Sequence, residues 1–202
     1  MQAEISPLFS VPVYQAIVER DFSKEVNFIS NIELIKARNN HVSTEFYVLD
    51  HPELESCKKL CEEHLATYIK NTLDCKQEFY ITNSWIACSK PGESHHTHFH
   101  PNSIVSGVLY LQANNNCGDI IFHHKSSLKN HFDFNYDLNS FNMINSPTWR
   151  YKVQTGHMLL FPSWLNHNVE ENRSNQDRIV LGFNTFVKGE FGGSEYSASL
   201  KL

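Results

Sequence analysis

Apolar and polar positions follow two different periods along this chain, and the change falls near residue 76. Before it, Leu54, Cys57, Cys61, Leu65 and Tyr68 recur at helical spacing, widened by Leu60 and Ile69, and predict an amphipathic helix. Asp50 can cap that helix, Pro52 suits its first turn, and Glu53 favours its positive end. Phe22 to Ala37 alternates at the same period and predicts a second helix. Ile5 to Tyr14 is apolar but holds Pro7 and Pro12, so it reads as a short edge strand or extended arm. Phe46 to Leu49 reads as a short strand.

After residue 76 the runs become short and rich in β-branched and aromatic residues. They are Phe79 to Cys88, Ile104 to Leu111, Asp119 to Phe122, Tyr151 to Val153, His157 to Phe161 and Arg178 to Val187. Lys90-Pro91-Gly92, Asn114-Asn115-Asn116, Thr155-Gly156 and Asn172 to Asn175 mark turns between them. Many short strands with turns between them predict a sandwich or barrel. His123 to Arg150 is a long polar and aromatic loop, of a length that is usually functional or disordered. After a turn at Gly189 to Gly193, Ser199 to Leu202 predicts a last short strand. The expectation is a mainly β (α+β) chain forming one domain over residues 1–202. A helical support region over 1–75 packs on one outer face of a β core over 76–202.

Composition narrows the class. The chain has 202 residues, 41% hydrophobic and 19% charged, which suits a soluble globular protein. A formal charge of −5 gives no basic footprint, so nucleic acid is not the expected partner. No stretch approaches ~20 apolar residues and the start has no basic segment, so neither a membrane span nor a signal peptide is expected. Five cysteines are an odd number and form no C-x-x-C pair. They read as small hydrophobes in a reducing compartment, which predicts a cytoplasmic protein. A homodimer is compatible with the sequence.

The 12 histidines change the picture. In His95-His96-Thr97-His98-Phe99-His100-Pro101-Asn102, an extended backbone puts His96, His98 and His100 on one face and His95 on the other. Two or three imidazoles on one face can reach one metal ion; a solvated His-rich loop is the bland alternative. Downstream, an apolar strand starting at Gly156-His157 ends in Pro162, and His167 opens a new strand. Eleven residues on, Arg178 opens the run Ile179-Val180-Leu181-Gly182-Phe183-Asn184. An Arg at the mouth of an apolar strand wants an anion: a carboxylate ligand gripped by the guanidinium fork, or a surface ion pair with Glu170 or Glu171.

These pieces together resemble the Fe(II)/2-oxoglutarate-dependent dioxygenases, whose pattern is an H-x-[DE] pair, a distal His after a Gly-started strand, and an Arg or Lys about ten residues beyond. Here they are His98-Phe99-His100, Gly156…His167 and Arg178. Trp85 to Gly92 resembles the strand and "PG" turn that precede the metal motif in prolyl and aspartyl/asparaginyl hydroxylases, and Val105 to Leu111 the strand that follows it. More narrowly, His98-x-His100-Pro101…Ser106-Gly107-Val108-x-Tyr110 resembles a group of 2-oxoglutarate–Fe(II) oxygenases. Leu8-Phe9-Ser10-Val11-Pro12-Val13 matches that group's N-terminal segment.

The resemblance implies a double-stranded β-helix, a cupin-like jelly-roll barrel of about eight strands within residues 79 to 187. It implies Fe(II), 2-oxoglutarate and O2, with decarboxylation of 2-oxoglutarate to succinate and CO2 coupled to oxidation, such as hydroxylation, of a substrate. That substrate is a small molecule or a protein side chain. His98, His100 and His167 would hold iron, and Arg178, Tyr110 and Ser89 the co-substrate. The chain departs from the pattern at His100, where the family's carboxylate should stand. Three readings follow: His100 is a third ligand, or water completes a two-His site, or the register differs, with His96 beside His98 or a remote acid such as Asp119 ligating. Asn102 and Asn166 are candidate orienters of the imidazoles. His123, His124 and His131 line the mouth or sit in solvent, and Trp85 and Trp164 read as core. A three-His cupin enzyme that does not use 2-oxoglutarate and a non-catalytic jelly-roll binding module remain rival readings.

Overall fold

The computed structural model describes residues 3–124, 137–193 and 198–202. In chain order the strands are β1 (Tyr14–Ile17), β2 (Leu34–Lys36), β3 (His41–Ser43), β4 (Glu78–Ser89), β5 (His95–His98), β6 (Val105–Gln112) and β7 (Ile120–His123). There follow β8 (Thr148–Tyr151), β9 (His157–Pro162), β10 (His167–Val169), β11 (Arg178–Lys188), β12 (Glu190–Phe191) and β13 (Leu200–Lys201). The α-helices are α1 (Ser23–Ile29) and α2 (Glu55–Thr72). A large antiparallel sheet has the order β1-β9-β6-β11-β4-β3-β2, and a smaller one the order β5-β10-β7-β8. The strands from β4 to β11 form the expected double-stranded β-helix.

Four strands of the large sheet are buried on both faces. Along β9, Met158 and Leu160 join a core beneath the helices, while Leu159 and Phe161 join a second core facing the small sheet. Along β6, Leu109 and Leu111 face the helices, and Val108 and Tyr110 the small sheet. This is why those segments read as continuous apolar runs rather than alternating ones. The helix-side core is closed by α2 through Cys57, Cys61, Leu65, Tyr68 and Ile69. Among the described residues no helix is long and apolar enough to cross a membrane.

The N-terminal half departs from its sequence pattern in three places. The helix expected over Phe22 to Ala37 stops at Ile29, and Leu34–Lys36 instead pairs with His41–Ser43 at the edge of the large sheet. An unpaired sheet edge offers ladder hydrogen bonds, and these outcompete a marginal helical period there. The strand expected over Phe46 to Leu49 is a 3-10 turn at Val48–Asp50. The Leu49 amide donates to Ser84 Oγ at 2.9 Å, a side chain standing where a ladder would need a carbonyl. Asp50 does not cap α2; it pairs with Lys58 Nζ at 2.8 Å, and Leu54 is the cap residue. In the β half, the strand expected at Tyr151 to Val153 lies at Thr148–Tyr151, inside the segment expected to be loop. Ile5 to Tyr14, read as edge strand or extended arm, carries no strand before Tyr14, where β1 begins.

Gly107 marks the tightest packing in the central ladder. A Cβ there would lie 2.1 Å from the Phe183 ring, whose side chain is fully buried between the large sheet and the helices. Gly107→Ala should therefore destabilise the fold by about 1–3 kcal/mol, the usual range for overpacking a filled core. Urea unfolding checks this, and an unchanged midpoint would show that Phe183 can step aside.

Candidate active site

Pairing between β5 and β10 sets His98 opposite His167. Their ring centroids are 4.3 Å apart, and each lies 5.1 Å from the ring of His100, just beyond β5. One ring nitrogen from each of the three falls within 4.8 Å of the other two. The other nitrogen is already engaged in every case. Nδ1 of His98 lies 2.8 Å from the His96 carbonyl, Nδ1 of His167 lies 3.0 Å from the Leu165 carbonyl, and Nδ1 of His100 lies 2.7 Å from Asn184 Oδ1. A carbonyl oxygen only accepts, so each Nδ1 carries the proton and each Nε2 presents a lone pair. Burial is the main cause that pushes all three imidazoles down, His98 to about 4 and His167 well below the ordinary value. Three neutral imidazoles with converging lone pairs, each fixed by a second partner, fit a divalent first-row metal ion. Among the described residues no carboxylate joins the cluster; Asp119 turns to Arg150 at 3.6 Å.

The same pocket contains Arg178, Ser89, Tyr110 and the walls Ile120, Val169 and Val180. Arg178 is 2% exposed. Nη1 donates to the carbonyls of Glu170 (3.0 Å) and Cys117, and Nη2 donates to Ser89 Oγ (2.9 Å). It makes no ion pair with either Glu170 or Glu171: the Glu170 carboxylate lies 3.3 Å from Arg150 and that of Glu171 3.9 Å from Arg173. A buried guanidinium with only neutral partners among the described residues is costly, and an anion in the pocket would offset that cost. Tyr110 is 1% exposed, its hydroxyl bonds to no described residue, and burial pushes its pKa up, so it stands in the pocket as a neutral donor.

The structure corrects the faces assigned to the histidine run. From His98 to His95 is three residues on β5, but the partner strand advances only two, from His167 to Val169. The extra residue is a β-bulge, and it returns His95, not His96, to the pocket with His98 and His100. His96 is left with a buried Nδ1 that has no partner. The orienting groups also differ from those expected. Asn102 sits in a left-handed turn at φ 58°, and Asn166 contributes its carbonyl to the His123 amide. Asn184 takes the role at His100, and its one sequence signal is an amide inside an apolar run. Trp85 lines the pocket, with its ring 5.3 Å from that of His100, and Trp164 is 47% exposed, so neither is a simple core residue. His123 bonds Asn168 Oδ1 at 2.6 Å, and His131 lies outside the described residues.

With this geometry in hand, comparison with known proteins decides the class. Residues 83–184, just over half of the chain, match the family described as "Putative 2OG-Fe(II) oxygenase". The chain belongs to this family of 2-oxoglutarate–Fe(II) oxygenases. The segment spans β4 to Asn184 and contains all three clustered histidines, Tyr110, Ser89 and Arg178. No functionally curated protein matches the chain in sequence. Among solved structures, a prolyl-4-hydroxylase of Pseudomonas putida is similar, with TM-score 0.58 and 16% identity over 88% of this chain and 94% of that one. HygX of Streptomyces hygroscopicus, solved with nickel, 2-oxoglutarate and hygromycin B, has TM-score 0.60 and 10% identity over 87% and 82%. A viral collagen prolyl hydroxylase from Paramecium Bursaria Chlorella virus-1 has TM-score 0.54 and 11% identity over 86% and 94%. At these identities the likeness is one of fold. Family membership makes the oxygenase an oxidoreductase that takes Fe(II), 2-oxoglutarate and O2, and sets aside both rival readings.

The depressed imidazoles make the metal-free oxygenase sensitive to pH. Above about pH 6.5 folded and unfolded chains both hold a neutral ring at position 98. Between there and about pH 4 the unfolded chain takes up a proton that the folded chain refuses. Metal-free protein should therefore lose stability as pH falls through that window, at up to about 1.4 kcal/mol per pH unit per ring. Urea unfolding of chelator-treated protein at pH 7 and pH 5 measures the slope, which His98→Gln should reduce. Equal slopes in the two proteins would contradict a neutral buried ring.

Proposed function

We propose that His98, His100 and His167 hold the Fe(II) of this oxygenase and that Arg178, with Ser89 and Tyr110, grips the far carboxylate of 2-oxoglutarate. The reaction is oxidation of a substrate, most simply hydroxylation, coupled to decarboxylation of 2-oxoglutarate. The substrate is a small molecule or an accessible protein side chain. The observation that carries this reading is the set of three Nδ1–H···O bonds, which leaves three Nε2 lone pairs aimed into one pocket with an unpaired guanidinium.

When bound, iron supplies the redox chemistry that activates O2. The chain's own residues orient and exclude. The His96 and Leu165 carbonyls and Asn184 Oδ1 hold the rings and raise their basicity as ligands. Asn184 is itself held by Ser106 Oγ at 2.8 Å, which lies 2.7 Å from Ser163 Oγ, itself 2.7 Å from Ser103 Oγ. This buried network gives His100 the anchoring a ligand needs, and supports it as the third corner in place of the family's carboxylate. Arg178 is fixed before any ligand arrives, so little side-chain entropy is lost on gripping an anion. Ile120, Val169 and Val180 suit the two methylenes of 2-oxoglutarate and keep water from the carboxylate–guanidinium contact.

His98→Ala and His167→Ala should each abolish stoichiometric Fe(II) binding while the β-rich circular dichroism spectrum is retained. Asn184→Ala should weaken Fe(II) about 10- to 100-fold, the usual effect of removing a ligand's orienting partner. Unchanged iron content in all three variants would overturn the ligand set.

The co-substrate claim has its own test. Under anaerobic conditions a visible charge-transfer band should appear only when Fe(II) and 2-oxoglutarate are both present. Loss of a buried carboxylate contact costs ~2–5 kcal/mol, roughly tens- to thousands-fold in affinity. Arg178→Ala should raise the 2-oxoglutarate requirement by at least about ten-fold with iron binding nearly unchanged, and Arg178→Lys should recover part of the loss. Equal titrations in wild type and both variants would remove Arg178 from the co-substrate site.

A further inference from the structure

His95 is the imidazole in this pocket with no assigned task. Its ring lines the same cavity as the three clustered histidines and Arg178. It stacks on His98, centroids 4.2 Å apart and planes 24° from parallel. Each of the other three rings has a hydrogen-bonded Nδ1, whereas no side-chain hydrogen bond joins His95 to any described residue. His95 is half-buried, and an imidazole without a side-chain partner among the described residues is a group that a ligand can satisfy.

Its place along the pocket is set by the bulge. His98 stands opposite His167, and His95 stands opposite Val169, one residue from Glu170, whose carbonyl receives Arg178 Nη1 at 3.0 Å. His95 thus lies at the Arg178 end of the cavity. A C5 2-oxo diacid reaching from the three histidines to the guanidinium would share the cavity that His95 lines. The stack on His98 covers one face of the imidazole, and the residue lines the cavity.

We propose that His95 is a specificity-determining residue whose ring N–H donates to the far carboxylate of the 2-oxo diacid beside Arg178, favouring a diacid over a 2-oxo monoacid. This rests on the reading of Arg178 given above. A hydrogen bond to a charged group is stronger than one between neutral groups, and a neutral imidazole donor adds to the guanidinium without like-charge repulsion.

The test uses the full chain loaded with Fe(II) under anaerobic conditions and measures heats of binding for 2-oxoglutarate and for 2-oxobutyrate, which lacks the far carboxylate. His95→Phe keeps an aromatic ring on His98 but has no donor. It should weaken 2-oxoglutarate by about ten-fold or more while 2-oxobutyrate and Fe(II) binding stay within about two-fold of wild type. His95→Gln, which restores an N–H without the aromatic stack, should recover part of the diacid affinity. Equal weakening of both acids would overturn the inference and assign His95 to the support of His98. Unchanged diacid binding in His95→Phe, with Arg178→Lys still impaired, would overturn it and leave the Arg178 reading intact. A wild type that binds no 2-oxoglutarate would overturn both.

Discussion

Burial of β11 on both faces, between β4 and β6, is the constraint on which this molecule depends. Leu181 and Phe183 point into the helix-side core, while Arg178, Val180, Gly182 and Asn184 fall on the face that looks toward the small sheet. The period of two cannot slip by one residue without turning every one of these side chains to the wrong layer. The strand therefore carries Arg178 at its start and Asn184, the partner of His100, six residues on, at a separation fixed by the ladder. Gly182 and Gly107 let the Trp85 and Phe183 rings close over that ladder, since a Cβ at either position would meet a ring at 2.6 Å or less.

The electrostatics of the pocket follow from what its walls lack. Burial keeps the three clustered imidazoles neutral, and among the described residues Arg178 has carbonyl and hydroxyl partners alone. A divalent cation bound by neutral rings retains its full charge, unlike one held by a carboxylate. Together with the guanidinium, such a cation would make the proposed site strongly anion-seeking. On the ligand set proposed above, a dianionic 2-oxo diacid would complement the site at both ends, and a histidine at position 100 in place of a carboxylate would strengthen that match.

Support for the site comes from far along the chain. Asn184 reaches His100 across 84 residues, and the Ser106, Ser163 and Ser103 hydroxyls extend the chain of bonds behind it. Buried polar groups of this kind are tolerable only when each has a partner, so the network holds the ring in one orientation. His98 and His167 need less, because carbonyls two residues away in their own segments orient them.

Much of this was determined by the sequence itself. The apolar runs from Phe79 onward announced the β core, the Cys57–Tyr68 stripe announced α2, and the spacing of His98, His167 and Arg178 carried the resemblance to the family. These signals are local: a period, a turn residue, or a ligand spacing acts within a few positions. Tertiary structure decided what no local signal encodes. Leu34–Lys36 became a strand because a sheet edge lay beside it, Asn184 became an orienter because β11 runs beneath His100, and the alternative of a surface ion pair for Arg178 fell away because Glu170 and Glu171 pair with Arg150 and Arg173. His95 exchanged places with His96 because β5 carries one residue more than β10. Alternation predicts a face only while two strands advance in step, and that is known only once they are paired.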